Sequence, residues 1–162
     1  MNIFVLDYDI DKCVKYHNDK HCVKMILEYA QLLCGVHHMV GTDIDIPYKL
    51  SHKNHPCSIW ARECIENYIW LCDLALELSK EYTYRYGRRH KTQDVIEWCI
   101  INKPNLKENG DLTEFAMAMP DECKIGDVVE SYREYYKTIK KHIAVWKNRK
   151  TPIWYGEINQ LY

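Results

Sequence analysis

Apolar residues recur every three or four positions through most of this chain, which is the period of an α-helix rather than of a β-strand. This period predicts three long helices and one short helix, at about residues 11–39, from 54–58 to Gly87, from 92–94 to Ile101, and at 127–148. Pro56 suits the first turn of the second helix, where its missing N–H costs nothing. The pattern therefore predicts a mostly α fold, a single-domain helical bundle covering residues 1–162.

Three segments break the helical period. The apolar run Ile3–Leu6 is followed by polar residues and predicts a short N-terminal strand or an extended arm. Residues 103–126 are rich in turn-forming residues, and we expect an irregular crossing there with one helical turn near Thr113. The aromatic ending TPIWYGEINQLY predicts an irregular C-terminal tail.

Composition narrows the function classes. The formal net charge is −1, so the chain is not a generally basic nucleic-acid coat, and any polyanion site must be local. The eight cysteines include no C-x-x-C pair and several fall on apolar helix faces, which favours reduced core residues over disulfides. We find neither a signal leader nor an apolar run of membrane-spanning length, and we expect an intracellular protein without a membrane partner.

A narrow polar stripe lies on the first predicted helix, whose other positions are mostly apolar. At about 100° per residue, one arc is shared by His17, His21, Lys24, Glu28 and Gln31. One interpretation is a solvent face, with Lys24 and Glu28 as an i, i+4 ion pair. The other is a cleft wall, where a carboxylate, an amine and an imidazole supply an acid, a base and a nucleophile. Apolar surroundings would then shift the pKa of both the amine and the carboxyl toward neutrality.

The same histidines also permit a metal site. His17 and His21 are four residues apart and can chelate one ion, and Asp19, His52 or His55 could complete the ligand set. No H-E-x-x-H or other established ligand motif is present. We therefore keep the metal site as an alternative, and the leading interpretation includes no cofactor.

Two clusters combine basic and aromatic residues. The segment EYTYRYGRRHK, residues 81–91, interleaves arginines with tyrosines, and residues 135–156 contain several lysines and one arginine but no acidic residue. Such local charge segregation favours phosphate binding with aromatic stacking surfaces. The alternatives are a solvated helix face and cations that interact with a helix C-terminus. His55 precedes a predicted helix N-terminus, which can bind phosphate, or it is a neighbour of the cap without chemistry.

The segment DKHCVKMILEYAQLL resembles the first helix of the phage pyrimidine-dimer DNA glycosylases of the endonuclease V type. In that family an Asp-x-His motif precedes the catalytic Glu, which follows seven residues after the His, and His21 and Glu28 keep this interval. The ending TPIWYG is similar to the Pro-x-Trp-Tyr ending of the family. A closer resemblance is to a family of tailed-phage and large-DNA-virus proteins, through the motifs DKH-x-VKMILE, NHP, WAR, RYG and VWKNR. This second resemblance implies no particular activity.

The glycosylase resemblance implies that Glu28 assists opening of the sugar ring and stabilises the positive charge that develops there. It also implies a nucleophilic α-amine, which in the family belongs to a small residue exposed after Met removal. This chain departs from the family because Asn2 is too large for ordinary Met removal and five extra residues precede the Asp-x-His motif. The amine is then that of Met1 or that of Lys24, or lyase chemistry is absent. The family's helix arginines are also missing, since Leu27 and Gln31 fall near those positions.

We therefore predict a DNA-processing enzyme that resembles a pyrimidine-dimer DNA glycosylase/AP lyase and acts on damaged or modified bases. Glu28 is the predicted acid or charge stabiliser, Lys24 the amine, and His21 the positioning or proton-shuttling group. The predicted substrate-binding residues are His17, Asp19, Lys20, Gln31, His55, Arg85, Arg88, Arg89, Lys147, Arg149 and Trp154, with Trp146 as a second stacking candidate. The predicted partner is double-stranded DNA or a nucleotide.

Two other functions stay open at this point. The first is a nucleotide- or base-modifying enzyme on the same scaffold, assisted by a metal held by His17, Asp19, His21 and His55. The second is a non-catalytic module that binds nucleic acid or a nucleotide through the basic last helix. Salt-dependent duplex binding is expected of the glycosylase and of the non-catalytic module, and only catalysis separates those two.

Overall fold

Helices form the framework of the protein. The computed structural model describes residues 1–156. Its helices are α1 (Ile10–Tyr16), α2 (Asp19–Val40), α3 (Pro56–Ala61), α4 (Ile65–Tyr86), α5 (Gln93–Ile101), α6 (Val128–Lys137) and α7 (Ile153–Gly156), with short 3-10 turns at Asp121–Cys123 and Lys141–Ile143. Residues 1–156 include no β-strand, so the predicted mostly α class is confirmed. The end of the predicted C-terminal tail, residues 157–162, lies outside the described residues.

The first predicted helix is two helices, α1 and α2. His17 ends α1, and Asn18 begins α2 with extended backbone while its side-chain oxygen accepts a hydrogen bond from the backbone N–H of His21 at 2.8 Å. Asparagine is among the best N-caps because its short side chain satisfies a free helical N–H. This local cap ends the continuous apolar period, so that His17 lies outside the helix that carries Glu28.

The second predicted helix is also divided, into α3 and α4. His55 caps α3, because its Nδ1 accepts a hydrogen bond from the backbone N–H of Cys57 at 3.0 Å. The chain leaves helical geometry after Ala61, and the N–H of Ile65 bonds to the carbonyl of Lys107 at 2.9 Å. Gly87 ends α4 with φ of 69°, in the left-handed region that glycine adopts without strain, as the sequence predicted.

Two other predictions about the second half of the chain are wrong. The last helix, α6, ends at Lys137 rather than near residue 148, and Trp146 instead donates its Nε1–H to the carbonyl of Tyr16 at 2.8 Å. No helical turn occurs near Thr113, whose backbone N–H bonds to the side-chain oxygen of Asn67 at 3.1 Å. In both places, long-range hydrogen bonds replace the local helical ones.

The core lies between α2 and α4, and α4 also packs against α1, α3 and α5. Fully buried apolar side chains of the central pair include Ile26, Leu33, Leu71 and Leu78. All eight cysteines are buried free thiols, which confirms the prediction of reduced core residues. No helix within residues 1–156 has the length and apolar character that crossing a membrane requires.

Of the two predictions for Ile3–Leu6, a short strand or an extended arm, the structure shows the arm, which is irregular and buried. Ile3, Phe4, Val5 and Leu6 are each at most 3% exposed, yet no strand pairs with them in the described chain. The backbone N–H of Phe4 donates to the Tyr29 hydroxyl on α2 at 3.1 Å. These contacts hold the start of the chain inside the fold, alongside the middle of α2.

Candidate active site

The structure keeps three of the five stripe residues together, on one face of α2. His21, Lys24 and Glu28 line a small pocket of about 80 Å³. The other residues around it are Met1, Asn2, Phe4, Met25 and Lys140. Spacings of three, four and seven residues place side chains on one side of a helix, which is why the sequence pattern located this part of the site. Gln31 is half-buried one turn beyond Glu28 and is not among the residues that line the pocket.

Glu28 lies between two amines. Its Oε1 is 3.1 Å from the α-amino nitrogen of Met1, and its Oε2 is 3.7 Å from Nζ of Lys24. The Met1 side chain is 4% exposed and that of Glu28 14%, whereas Lys24 is 67% exposed. The Oε2 atom is buried and has no hydrogen-bond partner within the described residues. One carboxylate oxygen therefore holds an amine, and the other is left for a further donor.

The buried arm positions the Met1 amine. The Phe4 ring stacks on the His21 ring with centroids 4.1 Å apart and planes inclined by 27°. Cys13 Sγ lies 3.2 Å from the Phe4 carbonyl, and Arg133 Nε donates to the Leu6 carbonyl at 2.8 Å. The apolar run that begins at Ile3 is the sequence signal for this arrangement. When these residues are buried, the amine of the neighbouring Met1 is also held inside the protein.

His21 contributes a neutral imidazole to the pocket. The residue is 5% exposed, and its Nδ1 lies 2.7 Å from the Tyr136 hydroxyl. Burial, followed by the nearby His17 and Lys140, lowers the pKa of His21 to about 2. A neutral ring at pH 7 orients groups by hydrogen bonding and is not a proton donor of the imidazolium type. This supports a positioning role for His21 over proton shuttling.

His17 is not a substrate-binding residue in this structure. It is fully buried, with Nδ1 2.8 Å from the Cys13 carbonyl and Nε2 2.8 Å from the Tyr29 hydroxyl. Burial lowers the pKa of His17 to about 4. Because both ring nitrogens are already bonded, neither can bind a metal. Within residues 1–156, no group of three or more His, Cys, Asp or Glu side chains is arranged to hold a metal ion, so the four predicted ligands do not converge.

A buried ion network uses two of the predicted phosphate ligands. Arg85 has a fully buried side chain that pairs with Glu81 at 2.8 Å and with Asp19 at 3.1 Å. Arg149 also binds Glu81, through contacts of 2.8 and 3.0 Å, and stacks 3.8 Å from the Tyr84 ring centroid. Arg85 therefore cannot reach a phosphate, and Asp19 and Arg149 bind partners inside the protein. This corrects the prediction of substrate contacts for these three residues.

The predicted stacking tryptophans are buried as well. Trp154 is 7% exposed and Trp146 is 8% exposed. Trp154 packs edge-on against Tyr16 with centroids 5.7 Å apart, and the Arg133 guanidinium lies 5.2 Å from its ring centroid. Neither indole presents an open face to a base, so the stacking role is not supported.

The remaining predicted ligands lie on the surface outside the pocket. Lys20, Arg88 and Lys147 are exposed, with Lys147 Nζ 5.1 Å from the Tyr86 ring centroid. Arg89 is exposed but pairs with Asp94 and Glu97 at 2.6 and 3.0 Å. His55 is half-buried, and after burial the charge of the Met1 amine is the next cause that lowers its pKa. His55 therefore lies near the amine, although its Nδ1 serves as a helix cap.

A scan of this chain against protein-family models, a search of curated proteins and a search of solved structures each returned no match. A functional assignment must therefore rest on the geometry and chemistry of the pocket. The carboxylate of Glu28 contacts the α-amine of Met1 at 3.1 Å, and the neutral imidazole of His21 and two lysines line the same pocket. An amine held against a carboxylate is a pair suited to attack on an electrophilic carbon, with proton transfer between the two groups.

Proposed function

We propose that this protein is a DNA-processing enzyme of the glycosylase/AP lyase type, acting on damaged or modified bases in double-stranded DNA. Its nucleophile is the α-amine of Met1, and its acid and charge stabiliser is Glu28. The observation that carries the proposal is the 3.1 Å contact between the Met1 nitrogen and Glu28 Oε1. The proposal requires Met1 to be the first residue of the mature protein.

Met1 is a better candidate for the amine than Lys24. Met1 is enclosed by the buried arm, whereas the Lys24 side chain is 67% exposed and so less firmly placed. As a class, α-amines have a pKa of about 8 and lysine side chains one of about 10.4. A larger fraction of an α-amine is therefore neutral and nucleophilic at pH 7. Lys24 then serves as the second cation beside the carboxylate.

The chemistry requires one amine and one group that both donates and accepts a proton. The neutral amine attacks C1′ of the deoxyribose, and an N–C1′ bond forms while the bond from C1′ to the base breaks and its electron pair leaves with the base. The attacking nitrogen loses a proton to the Glu28 carboxylate, and Glu28 passes this proton to the ring oxygen, which opens the sugar and leaves a protonated imine. Glu28, again a carboxylate, then accepts a C2′ proton. The electron pair of that C–H bond forms a C2′–C3′ double bond, and the C3′–O bond breaks so that the phosphate leaves with its electron pair.

The second carboxylate oxygen supports this assignment. Glu28 Oε2 is buried without a hydrogen-bond partner in the described part of the chain. A buried acceptor without a partner costs free energy, so such an atom is a natural place for a donor from a ligand. With Oε1 occupied by the Met1 amine, a proton on Oε2 is available to the sugar oxygen. His21, held by Tyr136, forms one wall of the same pocket.

Borohydride trapping tests the proposal. Borohydride reduces an imine between protein and DNA to a stable amine, so wild-type protein should form a covalent adduct with a duplex that carries an abasic site or a pyrimidine dimer. Glu28→Gln should remove the adduct, and Lys24→Ala should retain it. Lys12→Ala, a change of an exposed lysine on α1 that does not line the pocket, is the control. Peptide mapping of the adduct should locate the DNA on Met1.

A single added residue tests the amine itself. Two forms can be released from a fusion protein, one starting at Met1 and one with a glycine before Met1, which moves the amine by about 3.8 Å along the chain. The first form should give adduct and the second should not, although every side chain is the same. Equal adduct from both forms, or adduct mapped to Lys24, would exclude the Met1 amine as the nucleophile.

Absence of any adduct or strand cleavage in wild-type protein would overturn the enzyme proposal for these substrates. Salt-dependent duplex binding without adduct would instead indicate the non-catalytic binding module. The exposed Lys147 and Lys20 supply basic surface for either function. The metal-assisted alternative is not supported, because the predicted ligands form no group within residues 1–156 that could hold an ion and both ring nitrogens of His17 are already bonded.

A further inference from the structure

The pocket carries more positive than negative charge. Its lining includes the Met1 amine, Lys24 and Lys140, and Glu28 is its one acidic residue. Three cations against one carboxylate leave an excess of two positive charges at pH 7 when the amine is protonated. Within residues 1–156, no carboxylate forms an ion pair with Lys140. This excess favours an anionic ligand beside Glu28.

Aromatic packing holds Lys140 at the pocket. Its Nζ lies 5.3 Å from the centroid of the Tyr135 ring, and its backbone N–H bonds to the Tyr135 carbonyl at 3.0 Å. The Tyr135 ring lies nearly parallel to that of Phe4, with centroids 6.3 Å apart, and Phe4 stacks on His21. Lys140 is half-buried rather than fully exposed. Lys140 is therefore connected to the His21 ring, which lines the pocket beside Glu28, through the rings of Tyr135 and Phe4.

The field of Lys140 reaches the interior of the pocket. After burial and His17, the charge of Lys140 is the next cause that lowers the pKa of His21, followed by Lys24 and Lys20. The three lysines among these causes are all cations, and no carboxylate is among them. An approaching phosphate therefore meets a positive potential at the mouth of the pocket.

The size of the pocket restricts the ligand. A volume of about 80 Å³ is far below the roughly 300–1,000 Å³ of sites that enclose whole small molecules. A pocket of this size encloses only part of a ligand, which favours a sugar with a neighbouring phosphate over an enclosed whole nucleoside. Recognition must then come from the chain on either side of the reacting sugar.

We infer that Lys140, with Lys24, binds a phosphate adjacent to the reacting deoxyribose, so that the substrate of this pocket is a phosphodiester chain and not a free nucleoside. The inference rests on the proposed function, since it identifies the group that lies beside the Met1 amine and Glu28. Lys140 is a binding residue here and takes no part in proton transfer. Lysine is suited to this role as a compact cation with three hydrogen-bond donors.

Equilibrium binding to a substrate analogue tests this inference. The probe is a labelled duplex with a tetrahydrofuran abasic site, which has no aldehyde and forms no imine. Its Kd is measured by fluorescence anisotropy over a series of salt concentrations. Lys140→Ala should raise the Kd about tenfold, as expected for loss of one charge-assisted hydrogen bond, and should reduce the salt slope by about one unit. Lys140→Arg keeps the charge and should bind within about threefold of wild type.

Lys141→Ala is the matched control, because Lys141 is the next residue, is exposed and does not line the pocket. It should change the Kd less than about twofold. Duplexes in which one flanking phosphate is an uncharged methylphosphonate then locate the contact. Wild type should lose affinity for one of these duplexes, and Lys140→Ala should show no further loss with that duplex. Thermal unfolding of each variant verifies that the fold is intact.

Two results would overturn the inference. Equal effects of Lys140→Ala and Lys141→Ala would indicate diffuse electrostatic attraction. A methylphosphonate penalty that persists undiminished in Lys140→Ala would place the phosphate elsewhere. The test also separates the two proposals, because the analogue cannot form an imine. If wild type forms the borohydride adduct but Lys140→Ala binds the analogue like the control, only the enzyme proposal stands. If Lys140→Ala weakens binding specifically but wild type forms no adduct, only the phosphate site stands.

Discussion

The α-amino nitrogen of Met1 lies 3.1 Å from Oε1 of Glu28, although the two residues are 27 positions apart in the chain. The contact is enclosed, since the side chains are 4% and 14% exposed. Exposed ion pairs usually contribute little to stability. This pair is enclosed and lies beside a buried carboxylate oxygen that has no hydrogen-bond partner within residues 1–156, and the lyase proposal rests on it.

Glu28→Gln should abolish catalysis while the protein stays folded. The substitution keeps the size of the side chain but removes the proton donor and the negative charge, and loss of a general acid typically costs about 10²- to 10⁴-fold in rate. Single-turnover cleavage of an abasic duplex measures the effect. Glu77→Gln, which changes a half-buried carboxylate on α4 outside the pocket, should retain the wild-type rate. Equal rates for wild type and Glu28→Gln would exclude Glu28 as the acid.

Arg85→Ala should destabilise the protein strongly. The change leaves the carboxylates of Glu81 and Asp19 without their shared buried partner, and breaking a buried ion pair typically costs about 3–5 kcal/mol. Urea denaturation measures the free energy of unfolding. Arg88→Ala, at an exposed position three residues away, should change it by less than about 0.5 kcal/mol. Normal stability of Arg85→Ala, together with weakened DNA binding, would restore the original prediction of a phosphate ligand.

Stability should fall as the pH drops below about 6.5, the usual histidine pKa. In the folded protein the pKa is about 4 for His17 and about 2 for His21, so the unfolded chain binds protons that the folded chain does not. Protonation therefore favours unfolding. The contribution of His17 is complete above pH 6.5 and disappears by about pH 4, and that of His21 continues to decline to lower pH.

Each of these histidines should lower the free energy of unfolding by up to about 1.4 kcal/mol per pH unit within its range. Urea denaturation at pH 7, 6 and 5 gives the slope. His17→Gln should reduce the slope, whereas His142→Gln, at an exposed position, should leave it unchanged. An NMR titration in which the His17 or His21 ring protonates near pH 6.5 would contradict this prediction.

Lys147→Ala should weaken binding of duplex DNA without preventing catalysis. Lys147 is exposed and lies outside the pocket, so it can contribute electrostatic attraction but no proton transfer. The slope of log Kd against log salt should fall by about one unit for one lost phosphate contact. The single-turnover rate at saturating protein should stay close to wild type. An unchanged salt slope would remove Lys147 from the DNA-binding surface.

The helical class and several helix ends could be predicted from sequence because they depend on neighbouring residues. The 3.6-residue period identified α2, α4 and α5, and Gly87 ends α4 as expected. The breaks depend on distant groups. The Asp19 N–H bonds to the Val145 carbonyl at 2.8 Å, and the Ile65 N–H bonds to the Lys107 carbonyl at 2.9 Å. Neither partner can be identified from local pattern.

The candidate site divides in the same way. Helical geometry alone placed His21, Lys24 and Glu28 on one face of α2, because angles around a helix axis follow from residue spacing. Whether a charged residue faces DNA or a buried counter-charge depends on which element packs above it. For this reason the sequence did not predict that Arg85 and Arg149 pair with Glu81 and that Trp154 is buried.

The same dependence on distant packing accounts for the parts of the pocket that spacing could not supply. Met1 reaches Glu28 because the buried arm packs on α2, and Lys140 reaches the pocket through the rings of Tyr135 and Phe4. Periodicity specifies directions within one helix, and it carries no information about segments that approach from more than 20 or 100 residues away. The carboxylate can thus be found from sequence, and the amine that faces it is identified by the three-dimensional fold.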